Sequence, residues 1–145
     1  MRWEFGPVDR TTTIDIPDSV VSDILKHAYC DAPNECCGLL IGSPHRLERV
    51  HPARNLVASP TRYLIDPADH FAAVHRARTD RLSVVGTYHS HPLGPPVPSM
   101  TDLLDATYPD YVYVIVSLRH DCETELKGYH LMKGGFELVA LRPVG

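Results

Sequence analysis

The run YVYVIVSL, Tyr111 to Leu118, constrains the fold of this chain more than any other stretch. β-Branched and aromatic residues follow one another with no polar alternation, so a strand made from them must be covered on both faces. Such a strand belongs at the centre of a sheet. CCGLLIG, Cys36 to Gly42, is a second short apolar run closed by glycine and makes the same demand. Two helices are available to meet it. TTTIDIPDSVVSDILKHAY starts as a short strand and turns helical near Pro17, a residue favoured in a first helical turn. Val20, Val21, Ile24, Leu25 and Ala28 then recur at helical spacing. In PADHFAAVHRART, Asp66 and Pro67 form an N-cap followed by proline, and the spacing predicts an apolar face carrying Phe71 and Val74.

The other segments read mostly as strands. RLERVHPARNLV, broken by Pro52, RYLID and LSVVGTYH are predicted strands, DAPNE is a turn, and SMTDLLDAT is a short helix. ELKGYHLM and GFELVAL close the chain as a hairpin around Lys133, Gly134 and Gly135. The expected fold class is α/β (α+β): a mixed β-sheet with helices against it, in a single domain spanning residues 1–145.

Composition excludes several classes of function. A net charge of -4 gives no reason to expect nucleic acid or an anionic membrane as a partner. No apolar run reaches the length of about 18 residues that spans a bilayer. MRWEFGPVDRTTT lacks the apolar core and small-residue cleavage site of a secretory signal, so a cytoplasmic protein is expected. Cys30, Cys36, Cys37 and Cys122 show no CxxC spacing and read as reduced, buried thiols. No feature of the sequence sets the oligomeric state.

Chemistry concentrates in GTYHSHPLGPPVPSMTD, Gly86 to Asp102. His89 and His91 stand two apart where a strand ends, so both imidazoles project from one face. Pro92, Pro95, Pro96 and Pro98 stiffen the turn that follows, which lowers the entropy lost in holding a site together. Ser99 lies where the short helix begins, and Asp102 falls in its first turn. Two imidazoles and one carboxylate with an open fourth position make the ligand set of a catalytic zinc. Ser99-x-x-Asp102 is also a capping box, and His-x-His at a strand end also suits exposed polar residues. Hydrolysis needs a base as well, and Glu35, leading straight into the CCGLLIG strand, is the candidate.

NECCGLLIG followed by GTYHSHPLGPPVPSMTD resembles the JAMM (MPN-plus) metalloproteases, which carry an upstream Glu and an H-x-H-x7-S-x2-D signature. All five positions are filled at the right spacing, and the order of elements is similar from about Ile14 to Leu141. The resemblance implies a cytidine-deaminase-like MPN/JAMM domain with a partly curled sheet. It implies Zn2+ bound by His89, His91 and Asp102, Glu35 as general base for a zinc-bound water, and Ser99 as a stabiliser of the oxyanion. The implied substrate is a small ubiquitin-like or sulfur-carrier protein, cut after its Gly-Gly tail. Only eight residues separate Asp102 from Tyr111, which is similar to the compact bacterial and archaeal members. The alternative is a catalytically silent MPN scaffold, whose members have usually lost ligands that are all present here. RadC-like proteins share the style of the loop but imply an extra N-terminal helical region, and phage tail relatives imply a second peptidase domain. H-x-E with P-C-x-x-C, the zinc deaminase pattern, is absent, as is H-E-x-x-H.

Overall fold

The two apolar runs become adjacent members of a sheet that curls until it closes. In the computed structural model, which describes residues 13–118 and 125–145, the elements are β1 (Thr13–Pro17), α1 (Asp18–Asp31), β2 (Cys37–Ser43), β3 (Arg46–Ala53), α2 (Pro67–Thr79), β4 (Ser83–His91), α3 (Met100–Asp105), β5 (Val112–Ser117), β6 (Glu125–Met132) and β7 (Gly135–Val144). The strand order is β1-β3-β2-β4-β5-β6-β7, closed by β1 running parallel to β7. Between β1 and β3 a single pair, Asp15 with Arg46, makes the ladder. β4 and β5 are parallel, with His89 level with Ile115 and His91 level with Ser117, while β2 runs antiparallel to β4. The mixed α+β sheet expected from sequence is what forms, with its curl carried to closure. None of the described helices is long and apolar enough to cross a membrane.

Each inner strand has cover on both faces, as its composition demands. From β5, Val112, Val114 and Val116 join Val20, Ile24 and Ala28 of α1 in the larger apolar cluster, with Leu40, Leu47 and Tyr88. The other face of β2 places Cys37 and Leu39 in a smaller cluster with Ala53 and Ala73, flanked by Tyr63 and Ile65. Gly38 lies against the Tyr88 ring so closely that a Cβ would overlap it. The Tyr88 hydroxyl is fixed by His27 Nδ1 at 2.7 Å, so the ring cannot simply move aside.

Four details differ from the sequence reading. Pro17 is the N-cap of α1 rather than a residue of its first turn. α2 turns Ala73 and Ala77 to the sheet and leaves Phe71 78% exposed. Small side chains four apart let this helix lie close to the strands, and a helix seated on them rotates its bulkier residues outward. RYLID forms no strand but one isolated bridge, Asn55 with Ile65, because its polar groups are taken by a loop. Cys36 and Cys37 are buried free thiols, whereas Cys30, on α1, is exposed; Cys122 lies outside the described residues.

Candidate metal centre

The end of β4 carries the two histidines into the interior, where His89 and His91 are 1% and 8% exposed. Their Nε2 atoms face each other at 3.1 Å. Beyond β4 the proline-rich turn is bound down along its length. Ser117 Oγ donates to the Gly94 carbonyl at 2.6 Å, and the Tyr129 hydroxyl donates to that of Pro96 at 2.7 Å. The Pro95 carbonyl lies 2.8 Å from His91 Nδ1. A carbonyl only accepts, so Nδ1 keeps the proton and Nε2 is the basic nitrogen.

The turn ends in α3 with the capping box anticipated from sequence. Ser99 Oγ accepts from the Asp102 amide at 3.0 Å, and Asp102 Oδ2 accepts from the Ser99 amide at 2.8 Å. The box orients the carboxylate without consuming it. Oδ1 lies 3.2 Å from His89 Nε2 and Oδ2 lies 3.1 Å from His91 Nε2. Capping and convergence on the histidines are therefore one arrangement.

Glu35 reaches the same place from another part of the chain. The pairing of Cys37 with His89 continues through Ser90 N–H, which donates to the Cys36 carbonyl at 3.1 Å, and Cys36 N–H, which donates to Ser90 Oγ at 2.8 Å. One residue further along this register, Glu35 comes level with His91. It is 4% exposed, and its Oε1 has no hydrogen-bond partner among the described residues.

Electrostatics match this geometry. Burial pushes the Glu35 carboxyl up to about 8, with Asp102 adding to the rise and His91 opposing it. Burial also opposes ionisation of Asp102, but its contacts with His89 and His91 outweigh it and hold this carboxyl far below the usual range. His89 is pulled down by burial, whereas His91 is raised because the Asp102 and Pro95 contacts outweigh burial. Buried Cys36 and Cys37, pushed up to about 12, are neutral thiols beside the site.

The ligand atoms of His89, His91 and Asp102 all lie within 4.8 Å of one another. Two imidazole nitrogens and a carboxylate that crowd one point fit a divalent metal of zinc's nitrogen and oxygen preference. The unpartnered Glu35 oxygen beside them fits a group that handles a proton of water.

Sequence reasoning missed Tyr63 and Asn55. The Tyr63 ring stacks on His89 with centroids 4.3 Å apart and planes inclined by 22°. Asn55 ties the segment around Tyr63 to Glu35. Reading RYLID as a strand concealed Tyr63, and extending the RLERVHPARNLV strand past Ala53, where β3 ends, concealed Asn55. The telling signal was polar, since Asn, Ser and Thr at 55, 59 and 61 make local side-chain hydrogen bonds rather than a ladder.

Residues 17–127 match the family described as prokaryotic homologs of the JAB domain. The chain is 40% identical over 118 residues to the CysO-cysteine peptidase of Mycobacterium tuberculosis, covering 79% of this chain and 80% of that protein. It is 38% identical over 106 residues to the desampylase of Haloferax volcanii, covering 71% and 76%. A solved structure described as a JAMM metalloprotease-like zinc site in the proteasome and signalosome superposes with a TM-score of 0.60 at 25% identity, covering 92% of this chain and all of the other.

Proposed function

The chain belongs to the prokaryotic JAB-domain family, and from that premise we propose that it is a zinc-dependent peptidase cutting the amide bond after the C-terminal Gly-Gly of a small ubiquitin-like or sulfur-carrier protein. One observation carries the reading: His89, His91 and Asp102 converge beside a buried Glu35 whose Oε1 has no partner among the described residues. A bound Zn2+ would be held by those three side chains and would supply Lewis acidity, polarising the scissile carbonyl and making water nucleophilic near neutral pH. The remaining chemistry falls to the chain. Glu35 takes the proton of the attacking water at its free oxygen and returns it to the leaving nitrogen as the amide bond breaks. Ser99 Oγ accepts from the Asp102 amide, which leaves its hydroxyl hydrogen to donate to the developing oxyanion. Pro95 holds the His91 tautomer, and the Ser99 amide holds the Asp102 carboxylate.

Two hollows support an extended substrate. Glu35 lines an open one of about 810 Å³ with His27, Asp31, Asn34 and Arg54. Tyr63 lines another of about 390 Å³ with Leu64, His70, Tyr108 and Tyr113. Glu35 opens one hollow and Tyr63, stacked on His89, opens the other, so a substrate tail spanning both would run beside the metal ligands, a passage that suits glycine. The names of the two relatives support a small carrier as substrate. The buried neutral thiols accord with a cytoplasmic setting.

The test is a set of β-grasp carrier fusions that differ only in the last two residues of the tail, assayed with and without a chelator. Cleavage after Gly-Gly, its loss when the second glycine becomes bulky, and its loss on chelation are expected. Equal cutting of Gly-Gly and bulky tails would remove the carrier specificity and leave a less selective peptidase.

A further inference from the structure

A metal-binding histidine is usually oriented by a hydrogen bond on its second ring nitrogen. His91 has one, from Nδ1 to Pro95. His89 does not: its Nδ1 is buried and has no partner among the described residues. Its ring lies instead against the stacked face of Tyr63, with the His91 ring edge-on at 4.9 Å. Tyr63 stands outside any strand, so its own position depends on what holds residues 54–66.

Backbone bonds from Leu56 to Leu64 and from Asp66 to Arg54, and the packing of Tyr63 on the smaller apolar cluster, give part of that hold, and one amide joins it to the site. Asn55 Nδ2 donates to the Arg62 carbonyl at 3.0 Å and to the Glu35 carbonyl at 3.1 Å. Its Oδ1 accepts from the Leu64 amide at 3.0 Å and the Val57 amide at 3.2 Å. Both donor hydrogens and two acceptor sites are used. The residues on either side of Tyr63 are thus bound to the same side chain that binds the backbone of Glu35. Glu35 lies just before β2 begins, and its N–H donates to the Ser59 carbonyl of the same loop at 2.8 Å. Both backbone polar groups of the proposed base are held by this loop instead of by a sheet.

We propose that Asn55 is a positioning residue of the metal centre, setting through one side chain the backbone of Glu35 and, by way of Tyr63, the ring plane of His89. This rests on the metallopeptidase reading above. Loss of the Asn55 amide frees Tyr63 to leave the His89 ring and lets the Glu35 carboxylate drift. Asn55 is not one of the metal-ligand group, and it acts through Glu35 and Tyr63 from the wall of the hollow that Glu35 lines.

The test uses the zinc-loaded protein and four variants: Asn55→Ala, Asn55→Asp, Tyr63→Leu and Tyr63→Phe. Zinc affinity is measured by competition with a chromophoric chelator, and ligand geometry by the visible spectrum of the Co2+-substituted protein. Both readouts are independent of any substrate. Asn55→Ala and Tyr63→Leu should each weaken zinc by about 10-fold to 100-fold and alter the cobalt spectrum. Tyr63→Phe, which keeps the stacked face, should recover affinity and spectrum. Asn55→Asp keeps the acceptor but loses both donors, so it should behave like the alanine variant. With a cleavable carrier, Asn55→Ala should lower kcat by about 10-fold or more while KM stays within about threefold. Parental zinc affinity and cobalt spectrum in both Asn55→Ala and Tyr63→Leu would overturn the proposal, even if their melting temperatures fall. If no carrier is cut by the parent protein, the peptidase reading fails on its own, and the zinc and cobalt results still decide the role of Asn55.

Discussion

The two histidines of the centre stand two residues apart on one strand, yet the chain holds them by different means. The hydrogen bonds that orient the His91 ring come from within a dozen residues: Pro95 binds its Nδ1, and Asp102 reaches its Nε2 from a capping box with Ser99. His89 shares Asp102 through its Nε2, but its ring lies on a distant group, Tyr63, in a loop that Asn55 fastens to Glu35. The local half is rigid because four prolines and a helix cap leave it few alternatives. The distant half depends on the whole sheet being assembled, because the pairing of β2 with β4 brings Glu35 to the site and the Asn55 loop holds it there. A centre built in this way joins a local half, which orients His91 and Asp102, to a long-range half, which sets His89 and the proton-handling Glu35.

The largest effects come from breaking either half at a ligand. His91→Ala, His89→Ala and Asp102→Ala should each lose the zinc and essentially all activity, because two remaining ligands coordinate too weakly. Metal analysis of the purified variants checks this, and full zinc occupancy in a His89→Ala/His91→Ala double variant would move the site elsewhere.

Ser99 sharpens the comparison because it serves the local half twice. Ser99→Ala should keep the metal, lose about 100-fold in activity if the hydroxyl serves the oxyanion, and cost about 0.5–2 kcal/mol of stability as a lost cap. Ser99→Asn retains a capping oxygen without the hydroxyl. It should recover most of the stability and none of the activity; recovery of both would assign Ser99 to capping alone.

Smaller effects lie away from the ligands. Gly38→Ala pushes a methyl group into the Tyr88 ring, which His27 anchors, and should destabilise the protein by about 1–3 kcal/mol. A melting temperature equal to the parent's would mean that Tyr88 can yield.

The smallest effect is a pH dependence. Burial holds the His27 imidazole below its ordinary value of 6.5, against the opposing pull of Asp31. The unfolded chain therefore binds that proton more readily, and stability from this group is full above about 6.5 and declines as pH falls below it. His27→Gln should flatten this part of the profile in denaturant titrations; an unchanged slope would assign it to other groups.

The same division explains what could be read from the sequence. His89, His91, Ser99 and Asp102 are legible because strand and helix periodicities are local, and spacing alone puts their side chains together. Glu35 lies 54 positions before His89 and carried only the hint of a carboxylate opening a buried strand; its role came from a family resemblance. Tyr63 and Asn55 were not legible. Their positions follow from a network of side-chain and loop hydrogen bonds with no periodicity, and an apolar-polar alternation as short as RYLID suggests a strand equally well. The face of α2 was misread for a related reason: how closely a helix approaches a sheet depends on both surfaces.

Glu35→Gln tests the central claim most directly, because it removes the ionisable oxygen while preserving shape. Parent and variant are purified in parallel, their zinc content is measured, and cleavage of a Gly-Gly-tailed carrier fusion is timed. About one zinc per chain in both, with activity lower in the variant by about 10²–10⁴-fold, is the predicted result. A variant that holds zinc and cuts as fast as the parent would contradict the account.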